Sequence, residues 1–154
     1  MASSFFQSVL KPELIRMHLA ATTKDDAIRE LLDILDKAGL LQNRAEAERV
    51  VFERERCMST GMEFGIAIPH GKTDSVERLV AAMAIKPEGL AFDAVDKQPS
   101  RLFVITLSPV NQTGPHLRFM AETSKILRSP KIRAALMAAK KPEDAVRILS
   151  SEGR

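Results

Sequence analysis

The chain has no tryptophan, no tyrosine and a single cysteine, Cys57. One cysteine excludes an intramolecular disulfide and suits a reducing compartment. Aromatics amount to 5%, all phenylalanine, so there is little to stack against nucleobases. There is no basic block either; the clusters are short pairs such as Arg54/Arg56 and Lys140/Lys141. With 23 basic and 20 acidic residues the net charge is only +3, which gives no case for nucleic acid as a partner. No apolar run approaches the roughly 18 residues of a membrane span, so no direct membrane insertion is expected. Residues 1–10 lack the basic start and apolar core of a secretory signal. A soluble cytoplasmic protein is the expectation.

Two further classes of chemistry lack their signatures. The histidines are His18, His70 and His116. Neither they nor Cys57 form a pair at the spacing of about two to five residues that zinc ligands favour, so no metal is expected. Gly61 and Gly65 are not followed by the Lys-Ser or Lys-Thr pair of a nucleotide loop. Nucleotide binding is therefore not expected. Cys57, His70 and Asp74 could imitate a thiol hydrolase but carry no sequence signature of one.

What is present is enough for one domain: 154 residues, 45% of them hydrophobic. Residues 24–39 read as a helix, with Ala27, Leu31, Ile34, Leu35 and Ala38 on one face, Thr23 as cap and Gly39 as stop. Residues 43–56 read as a second, capped by Asn43, with Ala47, Val50 and Val51 inward. Residues 14–19 suggest a short edge strand. Residues 66–68 form an apolar strand that Pro69 ends. Two more strands cover 80–85 and 102–107, with turn signals at Pro87-Glu88-Gly89 and at residues 96–99. A helix over 115–128 would bury Leu117, Met120, Ala121, Ser124 and Leu127. Shorter helices follow near 130–139 and 142–150, each opened by a proline. The expected fold is α/β: one layered domain over residues 1–154, with a mixed β-sheet of about five strands flanked by helices on both sides.

The histidines differ in context. His18 reads as an ordinary strand histidine. His70 follows a strand and a proline and precedes Gly71 and Lys72. Ligand sites in open α/β sheets favour such strand ends. Gly71 would leave space and a free backbone N–H, and Lys72 would add positive charge. A phosphate-accepting histidine needs such donors and a fixed tautomer. His116 follows Thr113-Gly114-Pro115, placing it in the first turn of a helix, where free N–H groups and the dipole attract anions. Arg54 and Arg56 close the second helix, where they suit either a phosphate or the helix C-terminus. Ser59, Thr60 and Gly61 form a small polar loop, an anion cradle or an ordinary turn. Spacing alone leaves merely structural histidines open.

Taken in order, Arg54-Glu55-Arg56, Ser59-Thr60-Gly61, Gly65-Ile66-Ala67-Ile68-Pro69-His70-Gly71-Lys72, Phe92-Asp93-Ala94-Val95-Asp96, Gln98-Pro99 and His116-Leu117 cover nearly the whole chain. This series resembles the enzyme IIA domains of the phosphoenolpyruvate-dependent phosphotransferase system, in the fructose/mannitol/nitrogen class. The resemblance implies a phosphotransferase working by a phosphohistidine relay, without metal or cofactor. His70 matches the phosphorylated histidine, His116 the supporting second histidine, and Arg54 the arginine of the family's Arg-Glu pair. Ser59, Thr60, Gly71 and Lys72 would support the phosphate. The implied donor is the histidine-containing phosphocarrier protein or its nitrogen-branch paralogue. The implied receiver is a regulatory target, for the stand-alone nitrogen type, or alternatively a IIB sugar-transport component. Oligomeric state stays open between monomer and weak dimer. Glu63-Phe64 departs from the small or amide pair usual in nitrogen-type members. A carboxylate there would repel a nearby phosphate unless turned away, whereas Phe64, with Met62 and Ile66, could dock the partner.

Overall fold

The computed structural model describes residues 4–150; the ends of the expected 1–154 domain lie outside the described residues. In chain order the elements are α1 (Ser4–Val9), β1 (Ile15–Arg16), α2 (Lys24–Lys37), α3 (Arg44–Cys57), β2 (Ile66–Ala67), β3 (His70–Lys72), β4 (Val80–Leu90), β5 (Ser100–Ser108), α4 (Thr113–Leu127), α5 (Pro130–Ala138) and α6 (Pro142–Ser150). The sheet runs β1-β4-β5-β2, with β3 also on β5. β4 and β5 pair antiparallel, whereas β1 pairs in parallel with β4, and β2 and β3 in parallel with β5, so the sheet is mixed as expected.

Alternate residues of the central strands enter two different cores. Ala82, Ala84, Phe103, Ile105 and Leu107 pack beneath Ile28, Leu31, Leu35, Ala47 and Val51 of α2 and α3. Ala81, Met83, Ile85, Leu102 and Val104 pack beneath Phe119, Ile126, Ile132, Leu136 and Leu149 of α4, α5 and α6. Burial on both faces explains why these strands read as continuous apolar runs rather than alternating ones. The helix starts follow local chemistry. The Thr23 hydroxyl accepts from the Asp26 N–H at 3.2 Å, and the Asn43 carboxamide from the Glu46 N–H at 3.1 Å.

Several expectations change. Pro69 interrupts the edge strand without ending it. Partners are Ile66 with Leu102 before it and His70 with Thr106 after it, a constant offset of 36. Proline has no N–H to donate, but its carbonyl accepts from the Thr106 N–H at 3.1 Å and keeps the chain in register. Pro87-Glu88-Gly89 is not a turn. It lies inside β4, where the register shifts between Ile85 and Leu90 and Gly89 takes φ +76°. The early edge strand shrinks to Ile15–Arg16. Ala38 is exposed and Val50 only half-buried.

The largest correction concerns α4. It begins at Thr113, so Pro115 is its third residue, not its first. Its buried residues are His116, Phe119, Thr123, Ile126 and Leu127, whereas Leu117 is 61% exposed. The expected stripe is rotated because the buried face carries two polar residues. Thr123 is tolerated there because its hydroxyl donates to the Phe119 carbonyl at 2.8 Å.

Candidate active site

Register puts the two histidines together. In a parallel ladder, paired residues point to the same face. His70 pairs with Thr106, and Lys72 with Ser108, on the face covered by α4. His116, in the first turn of α4, comes down onto that face. The two imidazole centroids are 5.6 Å apart and tilted by 54°.

The His70 ring is half-buried, with Nδ1 2.9 Å from the Ile68 carbonyl oxygen. A carbonyl only accepts, so Nδ1 carries the proton of the neutral ring and Nε2 keeps a lone pair. Burial, reinforced by the Arg54 charge, lowers its pKa from 6.5 against the opposing effects of Ile68 and Glu55. His116 is buried, with Nδ1 2.7 Å from the Ser108 hydroxyl. Burial first, then the His70 and Lys72 charges, push its pKa down to about 4. Both rings are neutral at pH 7. One offers an unprotonated ring nitrogen and the other is a neutral hydrogen-bonding group.

Positive groups surround them. Arg54, Lys72, Cys57 and Leu117 join the histidines in lining an open cleft of about 600 Å³. The Arg54 guanidinium donates to the Met58 carbonyl at 2.8 Å, which closes the end of α3 and steadies the fork. Lys72 donates to the Thr113 hydroxyl, bridging β3 to the start of α4. A larger cleft between α2 and α3 contains no histidine, and its Lys24, Arg29 and Arg44 are paired with carboxylates.

Other expected members stand further back. Gly71 offers no free N–H. Thr73 donates to Ser108 across the ladder, so Gly71, two residues earlier, also turns its N–H toward β5. What glycine supplies is clearance: a Cβ there would lie 2.6 Å from Val50 of α3. The Ser59 hydroxyl donates to Phe92 O at 2.8 Å, and that of Thr60 to Glu55 at 2.6 Å, so neither is offered to His70. The His116 N–H is already bonded to Gln112 O, which leaves the free amides of α4 at Thr113 and Gly114.

Glu63 and Phe64 lie in a tight turn before β2, beside Gly65, which packs against Pro99 and Arg101, at the opposite end of this edge from His70. The Glu63 carboxylate is therefore no threat to a phosphate. Phe64 takes φ +67° and stacks under Arg133 at 4.6 Å, while Ile66 is buried, so this trio does not border the cleft.

Two buried polar residues, Glu55 and Ser108, were given no role by the sequence reading. Glu55 is buried, accepts both the N–H and the hydroxyl of Thr60, and pairs with Lys24 at 2.9 Å. Its signal was a carboxylate four residues beyond Val51 on the buried stripe of α3. Ser108 gave less warning: a polar residue ending an apolar strand before a proline.

Residues 8–152 match the family described as "Phosphoenolpyruvate-dependent sugar phosphotransferase system, EIIA 2". The chain belongs to this family. It is 36% identical over 138 residues to the fructose-specific EIIA component of Haloferax volcanii, covering 90% of each chain. It is 32% identical over 147 residues to the nitrogen regulatory protein of Klebsiella oxytoca, covering 95% of this chain and 90% of that one. The crystal structure of nitrogen regulatory protein IIA-Ntr from Neisseria meningitidis superposes with a TM-score of 0.85 at 30% identity, covering 93% and 97% of the two chains. The fold, the sheet and the phosphotransfer class are thus those of enzyme IIA. Among the described residues no helix is long and apolar enough to cross a membrane.

Proposed function

We propose that this enzyme IIA protein receives a phosphoryl group on His70 Nε2 from a phosphocarrier protein and passes it on or displays it as a signal. The observation that carries this reading is the Nδ1–H···O=C bond to Ile68, which leaves Nε2 as the nucleophile. The incoming phosphohistidine loses its N–P bond as His70 Nε2 forms a new one, in line. One N–P bond replaces another, so the step runs readily in either direction. Charge spreads over three equatorial oxygens, and positioned donors supply most of the catalysis. Arg54, Lys72 and His116 are those donors, with the start of α4 behind them. The proton stays on Nδ1, donated to the Ile68 carbonyl, throughout, so the phosphorylated ring is cationic and ready to leave. Glu55, Ser59 and Thr60 hold the neighbouring loop in shape. The cleft suits a small transient interface, its rim exposing Leu117 and Cys57. We place the reaction in the cytoplasm, where phosphocarriers work.

For the output we favour a regulatory switch of the nitrogen type, supported by the close superposition on IIA-Ntr. The second reading is a fructose-type carrier feeding a IIB component, favoured by the Haloferax relative, which is comparable in length. Incubation with phosphoenolpyruvate, enzyme I and phosphocarrier should add one acid-labile phosphate. His116→Ala should still accept it but transfer it poorly. A pull-down comparing free and phosphorylated protein, alongside transfer to a IIB domain, separates the two outputs. Phosphate incorporated equally by His70→Ala protein would refute the relay.

A further inference from the structure

Ser108 closes β5 with none of its surface exposed, and its hydroxyl lies 2.7 Å from His116 Nδ1. Among the described residues that nitrogen is the hydroxyl's only partner. A serine hydroxyl has one proton to give. If it gives that proton to Nδ1, the His116 ring must carry its own proton on Nε2. The reverse assignment, Nδ1–H donating to Ser108, strands the serine proton in a dry site. It also leaves a lone pair on Nε2, the nitrogen remaining for the cleft shared with His70. A phosphoryl oxygen would meet repulsion there.

We propose that Ser108 is a positioning residue that locks His116 in its Nε2–H tautomer, making it a neutral donor to the phosphoryl group. The proposal rests on the reading of His70 as phosphoacceptor. A neutral donor has an advantage beside Arg54 and Lys72. It stabilises the extra charge of the transition state without a third cation holding phosphate too tightly for onward transfer. The low basicity of His116 agrees, since protonation cannot supply the donor at neutral pH. The neighbouring Thr106 hydroxyl provides an internal control. It is equally buried on the same strand face but has no hydrogen-bond partner among the described residues.

The test is long-range 1H–15N correlation of the His116 ring in the unphosphorylated full chain at pH 7. Wild-type protein should show one tautomer, Nε2–H. Ser108→Ala should show a mixture, whereas Thr106→Val should keep the wild-type pattern. In Ser108→Ala the rate constant for transfer from phosphocarrier should fall about tenfold at unchanged KM, the order expected for one weakened neutral hydrogen bond. An Nδ1–H tautomer in wild type, or an equal shift in Thr106→Val, overturns the assignment. The spectrum needs no phosphate donor. A failure of the tautomer is therefore distinct from a failure of His70 to be phosphorylated.

Discussion

His70 Nδ1 and the carbonyl oxygen of Ile68, two residues before it, are 2.9 Å apart on either side of a proline that breaks the strand without shifting its register. That one contact fixes the tautomer of the ring and its reactive nitrogen. It also predicts a pH profile. With the neutral ring as nucleophile and the His70 pKa lowered, acceptance should stay flat through neutral pH. It should fall in acid with a midpoint below the 6.5 of an ordinary histidine. Initial rates of phosphoryl acceptance against pH, with donor in excess, measure this. A midpoint at or above 6.5 contradicts the burial-driven shift.

Stability should carry a second signature. His116 titrates at about 4 in the folded protein and near 6.5 when unfolded. Between those values the unfolded chain binds a proton that the folded chain does not, so unfolding is favoured as pH falls through this window. Urea unfolding free energies should drop from pH 6.5 toward 4. The drop should be shallower in His116→Gln.

Arg54→Lys should slow transfer about tenfold while leaving stability nearly unchanged, because lysine keeps the charge but loses the planar fork. Stopped-flow transfer and urea melts on the same variant decide this. Wild-type kinetics with lowered stability would reduce Arg54 to a helix-end cap on Met58.

Glu55→Ala removes the acceptor for both Thr60 donors and strips Lys24 of its buried partner. Destabilisation of about 3 kcal/mol is expected for breaking such a pair, with faster proteolysis in the loop at residues 58–65. Chemical denaturation and limited proteolysis report the two effects.

Gly71→Ala forces a Cβ to 2.6 Å from Val50 on α3. Overpacking of this kind costs about 1–3 kcal/mol, and the strand would shift together with His70. Both stability and transfer should fall. A neutral result would show that Val50 simply turns aside.

Much of this was legible in the sequence because it depends on local rules. The Thr23 and Asn43 caps, the apolar stripe of α2 and the apolar strand at 102–107 follow from residue type and spacing alone. The pairing of a strand-end histidine with a helix-start histidine came instead from the family resemblance carried by the ordered series of motifs. What failed depends on tertiary contacts. The stripe of α4 was misplaced because His116 and Thr123 are buried by virtue of their partners, which periodicity counts as polar. His70–Lys72 carries no strand signal and is a strand only because β5 lies beside it. Ser59 and Thr60 look like a cradle, but the buried Glu55 and the Phe92 carbonyl claim their hydroxyls. Ser108 matters only through the ring that α4 lays over it.

The central claim is that phosphate resides on His70 Nε2 while Nδ1 keeps its proton, donated to the Ile68 carbonyl. Protein with 15N-labelled histidine, phosphorylated by phosphoenolpyruvate, enzyme I and phosphocarrier, should be examined by 31P and long-range 1H–15N spectroscopy. One phosphohistidine is predicted, at residue 70, joined through Nε2 with Nδ1 still protonated. Attachment through Nδ1, or a phosphohistidine at residue 116 or 18, would contradict it.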